Sequence, residues 1–184
     1  NHDSAVRVNC YRSVLARQKL HMIGLPPVQP EEYMEKVVLR DAYGAVNFYL
    51  LPFVKPSMVK LITGTDEKGN NLSYDETLRR LLAREEINMA ERNVLVSHQF
   101  YLPAGKSADE VERMDSEIRT VGNIDEVSAE LLQVFDYAAL GHIHKPMKLG
   151  SECIRYCGTM LACSVSEAGQ QKGVIEVELG EKGE

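Results

Sequence analysis

Two short runs early in the chain, residues 36–40 and 45–51, are rich in β-branched and aromatic side chains. Asp-Ala-Tyr-Gly stands between them and is typical of a tight turn, so the pattern predicts a β-hairpin. Residues 94–98 form a more continuous apolar run that ends in a histidine, which is typical of a strand covered on both faces. Further strands are predicted at residues 137–140, 147–149, 153–157 and 174–179.

Helical periodicity follows Ser4, where apolar residues recur every third or fourth position as far as Leu20. This predicts an N-terminal helix capped by Ser4, followed by a short strand at residues 21–24. A second, shorter helix is predicted at residues 128–135, just before the strand at 137–140.

The clearest helix signal lies in the middle of the chain. Ser73 and Glu76 have the spacing of a capping box, and the apolar stripe behind them predicts a helix to about Ala90. Residues 105–126 are polar, acidic and weakly periodic, so they predict a long, solvated surface excursion.

The mixture of predicted strands and helices indicates one α/β domain. With 184 residues, 44% hydrophobic and 26% charged, the chain can bury one sizeable core, and two full domains would be cramped. The net charge of -6 argues against nucleic-acid binding by bulk charge but leaves room for a local basic patch. No apolar run approaches the roughly 20 residues of a membrane span, no signal peptide is evident, and the four cysteines form no CxxC pair. We therefore expect a cytoplasmic protein with reduced thiols and no membrane partner.

The strongest chemical signal is Gly-His-Ile-His at residues 141–144, directly after an apolar run. In an extended segment residues i and i+2 point the same way, so His142 and His144 would present both imidazoles to one side. Gly141 would allow a tight turn, and Pro146 would prevent a helix from starting there. The pattern favours a pair of metal ligands.

His98 ends another predicted strand, and the intervening residues include a predicted helix. A strand, crossover helix, strand unit brings the carboxyl ends of two strands to one edge, so His98, His142 and His144 are expected to converge there. Asn1 and His2 could join them. Imidazole with oxygen donors suits manganese, iron or zinc, and the geometry alone does not choose. Taken alone, His98 is more often a core or surface residue than a ligand, so that interpretation stays open.

Three motifs in order, Asn-His-Asp-Ser at residues 1–4, Val-Ser-His-Gln at 96–99 and Gly-His-Ile-His at 141–144, resemble the last three signatures of the calcineurin-like metallophosphoesterases. The sequence around residues 137–146 and 154–158 resembles that of the SbcD-type nucleases, the exonuclease subunits of bacterial SbcCD complexes. The similarity extends over nearly the whole chain.

The resemblance implies a function for each motif. Asn1, His98 and His142 would bind one metal ion, His144 would bind a second, and His2 would be the general acid. Two divalent ions are implied, with Mn²⁺ expected and iron, zinc or magnesium as alternatives. The implied activity is a DNA exonuclease and hairpin endonuclease that acts with an SbcC-type ATPase in DNA repair and recombination, as a homodimer within a heterotetramer.

The implied fold is an α-β-β-α sandwich of two mixed sheets flanked by helices. Residues 1–184 would be the last two-thirds to three-quarters of this nuclease domain, because Asp-x-His and Gly-Asp-x-x-Asp motifs that supply the remaining ligands are not in the chain. Met160 departs from the proline expected after the Gly-Thr turn. The 184-residue chain alone is therefore expected to be inactive and to leave a sheet edge or face uncovered.

Two other functions remain open from the sequence. The same fold hosts small-molecule phosphomonoesterases and nucleotide hydrolases. The chain could also be a scaffold that keeps three histidines without assembling a catalytic centre.

Overall fold

The computed structural model describes residues 3–103, 105–106 and 125–183 of the chain. The α-helices in these ranges are α1 (Ala5–Cys10), α2 (Arg12–Ala16), α3 (Pro56–Thr63) and α4 (Tyr74–Ala83). The strands are β1 (Glu35–Asp41), β2 (Gly44–Leu51), β3 (Arg92–His98), β4 (Phe100–Leu102), β5 (Glu126–Ser128), β6 (Tyr137–Gly141), β7 (Met147–Leu149) and β8 (Ser151–Tyr156). Short 3₁₀ helices within the same ranges span Ala129–Leu132 and Val165–Glu167. The predicted α/β class is confirmed.

Six of the strands form one mixed sheet, in the order β1-β2-β3-β6-β8-β7. The two outer pairs are antiparallel, and the three inner pairs are parallel. The predicted hairpin is confirmed as β1 and β2, which pair directly across the turn with Asp41 opposite Gly44. The other described sheet contains only the parallel pair β4 and β5.

The central strands β3 and β6 are parallel neighbours, as the sequence predicts. Val96 pairs with Ala139, and His98 pairs with Gly141, so the carboxyl ends of both strands lie at the same edge of the sheet. Strand β2 ends beside them, with Leu51 opposite Ser97. This edge is where ligands collect in open α/β sheets.

The two faces of the six-stranded sheet differ in how well they are covered. Side chains of α3 and α4, such as Val59 and Leu81, share one large buried cluster with Leu95 and Ala138 of the central strands. The cluster on the opposite face is small and centres on three residues: Val46, Val94 and Tyr137. Val96, whose side chain alternates onto that second face, is 41% exposed. One face therefore contains the core, and the other is partly open.

Several predicted elements differ at the N-terminal end. The first helix is shorter than predicted and is interrupted at Tyr11, and none of the residues of α1 or α2 is buried. Helices this short gain little stability without an apolar face to bury. Residues 21–24 form no strand.

Helix boundaries also differ in the middle of the chain. The helix predicted to reach about Ala90 ends at Ala83, and the Glu85 carboxylate accepts a hydrogen bond from the Met34 amide instead (3.0 Å). Helix α3 was not predicted from the sequence. Pro56 occupies its first turn, where proline is tolerated. The helix predicted at residues 128–135 is a 3₁₀ helix.

The strand predicted at residues 174–179 is irregular. The backbone carbonyls of Leu179 and Gly180 accept hydrogen bonds from the buried Arg92 guanidinium (3.3 and 3.0 Å), so they have a side-chain partner instead of a neighbouring strand. All four cysteines are exposed and free. In the described part of the chain, no helix has both the length and the apolar character that crossing a membrane demands.

Candidate metal centre

Two of the predicted ligands meet at the carboxyl edge of the sheet. His98 is the last residue of β3, and His142 directly follows β6. Their ring centroids are 5.5 Å apart, and the rings are perpendicular. The predicted proximity of these two histidines is therefore confirmed, while their ligation of a metal stays a prediction.

Gly141 makes this approach possible. A Cβ atom on Gly141 would lie 2.8 Å from Nδ1 of His98, which is closer than real Cβ atoms come to a neighbour. The residue with a positive φ at this point is not the glycine but His142, at 109°. Gly141 therefore leaves room for the His98 ring, and the turn attributed to it occurs one residue later.

The φ angle of His142 corrects the geometry predicted for the histidine pair. An L-residue rarely adopts this conformation, which costs about 1–3 kcal/mol and persists only when the surroundings enforce it. The period-two argument for an extended segment does not apply through such a residue, so His142 and His144 are not a simple strand pair. Strain of this kind is concentrated at functional sites.

Aromatic side chains fix the His142 ring. Phe53 stacks on it at a centroid distance of 6.0 Å, with the ring planes only 9° apart, and Phe100 contacts it at 6.0 Å. Phe53 also meets His98 edge-on at 6.5 Å. The His142 residue is only 6% exposed. These contacts hold the imidazole in one orientation and limit its access to water.

His144, two residues after His142, contacts a buried carboxylate. It is 8% exposed, and its Nδ1 lies 3.0 Å from Oε1 of Glu167, which is fully buried. Among the described residues, one group of potential ligand atoms from histidine, cysteine and carboxylate side chains lies within 4.8 Å: His144, Cys163 and Glu167. Lys172 Nζ is 2.6 Å from Oε2 of Glu167, so an ammonium already neutralises that carboxylate. This charge disfavours a cation bound directly to Glu167.

A cavity of about 760 Å³ lies beside His98 at this edge. His98 and Phe53 line it together with Asp3, Lys55, Tyr74 and Asp125, and helix α1 contributes Ala5 and Val8. The N-terminal segment thus approaches His98, but the predicted site residues Asn1 and His2 lie outside the described residues.

Asp125 is the buried one of two carboxylates, with Asp3, that line this cavity. It is only 2% exposed, and its Oδ1 makes no hydrogen bond within the described part of the chain. The expectation that residues 105–126 are solvated is therefore wrong for Asp125, and most of the rest lie outside the described residues. Burial, together with the charge of Asp125, raises the pKa of Tyr74. Asp125 therefore contributes a buried carboxylate to the wall of the cavity that His98 also lines.

Three residues of this region, Glu167, Lys172 and Asp125, were not predicted from the sequence. Only Glu167 has a local signal, because Ser164 and Glu167 have the spacing of a capping box; in the structure its carboxylate is directed to His144. Nothing in the sequence pattern distinguishes the other two from solvated charges.

A comparison of the chain with the profiles of known protein families finds no match.

Proposed function

We propose that this chain is part of a metal-dependent DNA phosphodiesterase of the SbcD type. The observation that carries the proposal is the pair His98 and His142, which come from the ends of adjacent parallel strands and have rings 5.5 Å apart. His98 also lines a cavity of about 760 Å³. The rigid scaffold, the strained φ of His142 and the stacked Phe53 support a functional role for this edge.

The residues at the edge suit a divalent metal. His98 and His142, with Asn1, would hold one ion, and His144 would hold the other. Bound divalent ions supply charge neutralisation and polarisation of a phosphodiester. His2 would protonate the leaving oxygen, and Phe53 and Phe100 keep the His142 ring in place.

The finer fold assignment belongs to the same proposal. The mixed six-stranded sheet, with α3 and α4 on one face and a partly open second face, is compatible with one half of an α-β-β-α sandwich. DNA ends and hairpins as substrates, Mn²⁺ as the metal and an SbcC-type ATPase as the partner in a heterotetramer rest on the motif resemblance. A cytoplasmic location rests on the cysteines, which form no CxxC pair.

The activity assay compares a phosphodiester with a phosphomonoester. Mn²⁺-dependent hydrolysis of bis-nitrophenyl phosphate and of mononitrophenyl phosphate would be measured for the 184-residue chain and for a form extended upstream, followed by cleavage of hairpin and blunt-ended DNA. We expect chelator-sensitive diesterase activity in the extended form. A preference for the monoester would favour a phosphomonoesterase, and inactivity of both forms would favour a scaffold.

His98→Ala in the extended form tests the site itself. We expect kcat/KM for the diester to fall at least roughly 100-fold while the midpoint of thermal unfolding changes little, because a lost ligand disturbs the position of its ion. His21→Ala is the matched control, since His21 is an exposed histidine with no predicted role. If His98 were only a core residue, the change would instead destabilise the fold by a few kcal/mol, and activity would fall only in proportion.

A further inference from the structure

Glu167 has both carboxylate oxygens engaged in the interior of the protein. Its Oε1 lies 3.0 Å from His144 Nδ1 and accepts a hydrogen bond from Ser164 Oγ at 3.3 Å. Its Oε2 accepts hydrogen bonds from Lys172 Nζ at 2.6 Å and from Thr159 Oγ1 at 3.1 Å. The residue is fully buried. A buried carboxylate with this many donors is held in one position and in its ionised form.

The same residues hold the backbone of His144. The His144 carbonyl accepts hydrogen bonds from the Thr159 amide at 3.1 Å and from Lys172 Nζ at 2.9 Å. Gly158, with a φ of 74°, brings the chain so close that a Cβ atom there would lie 2.6 Å from this carbonyl oxygen. The loop after β8 therefore secures both the main chain and the ring of His144.

The chemistry of this contact determines where the ring proton resides. An ionised carboxylate can only accept a hydrogen bond, so a neutral imidazole beside it carries its proton on Nδ1. That tautomer places the lone pair on Nε2, which is then the nitrogen able to bind a metal. A carboxylate in this position also fixes the orientation of the imidazole ligand.

We propose that Glu167, held in place by Lys172, is a positioning residue that locks His144 in the Nδ1–H tautomer and assigns metal coordination to His144 Nε2. The inference rests on the proposed metal site. Glu167 acts through His144 and is not itself a ligand, because the Lys172 ammonium at 2.6 Å opposes a cation at that carboxylate.

The first test reads the tautomer directly in the metal-free chain. Nitrogen-15 spectra of the histidine rings would be recorded at a pH of about 8.5, where an ordinary imidazole is neutral, with His144→Gln identifying the signals. We expect His144 to show a protonated Nδ1 and an unprotonated Nε2. A dominant Nε2–H tautomer would overturn the proposal. This measurement uses the unmodified chain, so it does not depend on whether any Glu167 variant folds.

The second test is a double-mutant cycle on metal affinity, with Mn²⁺ binding followed by electron paramagnetic resonance. Glu167→Gln should weaken binding at the affected site roughly 10- to 100-fold, and it should have no further effect in a His144→Ala background. Equal losses in both backgrounds would show that Glu167 only supports the loop, and would contradict the proposal. Glu130→Gln is the matched control, since Glu130 is exposed and takes no part in the hydrogen bonds described above.

Two further measurements complete the cycle. The double variant Glu167→Gln with Lys172→Met removes both buried charges together, which preserves folding better than leaving one of them unpaired; it should show the same loss of affinity. With Co²⁺ in place of Mn²⁺, we expect no absorption band from charge transfer between a thiolate and the metal. If such a band appeared and was lost in Cys163→Ala, the ligand set would be His144, Cys163 and Glu167. That result would overturn the proposal.

Failure of this inference is separable from failure of the proposed function. Metal binding with the expected tautomer and coupling, but without diesterase activity, would refute the nuclease and leave the role of Glu167 intact. Diesterase activity together with equal losses of metal affinity in the two backgrounds would support the proposed nuclease and refute the role of Glu167.

Discussion

At the scale of single residues, the candidate centre depends on Gly141 and His142. Gly141 must lack a side chain, and His142 must adopt an unfavourable φ angle. His142 adopts a φ of 109°, which is unfavourable for a side chain, yet its ring packs against Phe53, Phe100 and His98. Gly141 has an unremarkable φ, but the space that its Cβ atom would fill is taken by the His98 ring. Because Gly141 has no Cβ atom, the His98 ring can approach the His142 ring. The backbone strain lies at His142, whose side chain has the more extensive packing.

Gly141→Ala should damage this contact. The new methyl group would lie 2.8 Å from His98 Nδ1, so the ring must rotate away from His142. We expect a loss of about 1–3 kcal/mol in the free energy of unfolding, measured by urea denaturation. In a His98→Ala background the same change should cost much less, and an equal cost in both backgrounds would show that the His98 ring is not the obstacle.

At the scale of the element, helix α4 begins at a local sequence signal and packs against the sheet. Ser73 Oγ accepts a hydrogen bond from the Glu76 amide at 3.1 Å, as the capping box predicts. Asp75 in the first turn also accepts a hydrogen bond from the Ser128 amide at 2.8 Å, which ties the helix to β5. The apolar face of the helix, including Leu78 and Leu81, is fully buried in the main cluster. The cap therefore begins a helix whose packing supports the sheet beneath the site.

Ser73→Ala removes the side-chain acceptor of this cap. We expect the free energy of unfolding to fall by about 1 kcal/mol, seen as a lower midpoint of urea denaturation with an unchanged slope. Ser57→Ala is the matched control, because Ser57 lies exposed in the first turn of α3, where Lys55 provides no side-chain cap. An equal effect at Ser57 would indicate that the loss at Ser73 does not come from capping.

At the scale of the whole molecule, Arg92 connects distant parts of the chain. Its guanidinium is buried and pairs with the Asp41 carboxylate at the end of β1. It also donates to the carbonyls of Gly44 at 3.1 Å, Leu179 at 3.3 Å and Gly180 at 3.0 Å. One side chain thus joins the hairpin, the central strand β3 and the C-terminal segment. This network closes the end of the sheet opposite the histidines.

The Asp41–Arg92 pair should make stability depend on pH. The hydrogen bond from Arg92 lowers the pKa of Asp41 below the unfolded value of about 3.9. A lowered folded-state pKa adds stability above the unfolded pKa, and this contribution is lost as the pH falls through the folded pKa. Asp41→Asn should therefore lower the urea midpoint at neutral pH, and the difference from the parent chain should shrink below a pH of about 4.

Glu67→Gln serves as the control for that measurement, since Glu67 is an exposed carboxylate in a loop. Its urea midpoint should follow that of the parent chain at every pH. A difference between Asp41→Asn and the parent that persists undiminished at acid pH would show that the ionised Asp41 is not what stabilises the network.

The sequence alone determined the features that depend on neighbouring residues. Turn chemistry and strand composition predicted the β1–β2 hairpin, and the spacing of Ser73 and Glu76 predicted the start of α4, because a turn or a cap involves only a few consecutive residues. The apolar runs that end at His98 and precede His142 were enough to predict their proximity, since parallel neighbours bring their carboxyl ends to one edge.

Only the tertiary structure decided the features whose partners are distant in the chain. Residues 174–179 have a strand pattern, but no edge strand pairs with them in the described part of the chain, and Arg92 satisfies the carbonyls of Leu179 and Gly180. His144 meets Glu167, which is 23 positions away, through a loop that carries little periodic signal. The burial of Asp125 depends in the same way on how separate segments pack. Local rules specify elements and their ends, whereas long-range packing specifies which buried charge faces which imidazole.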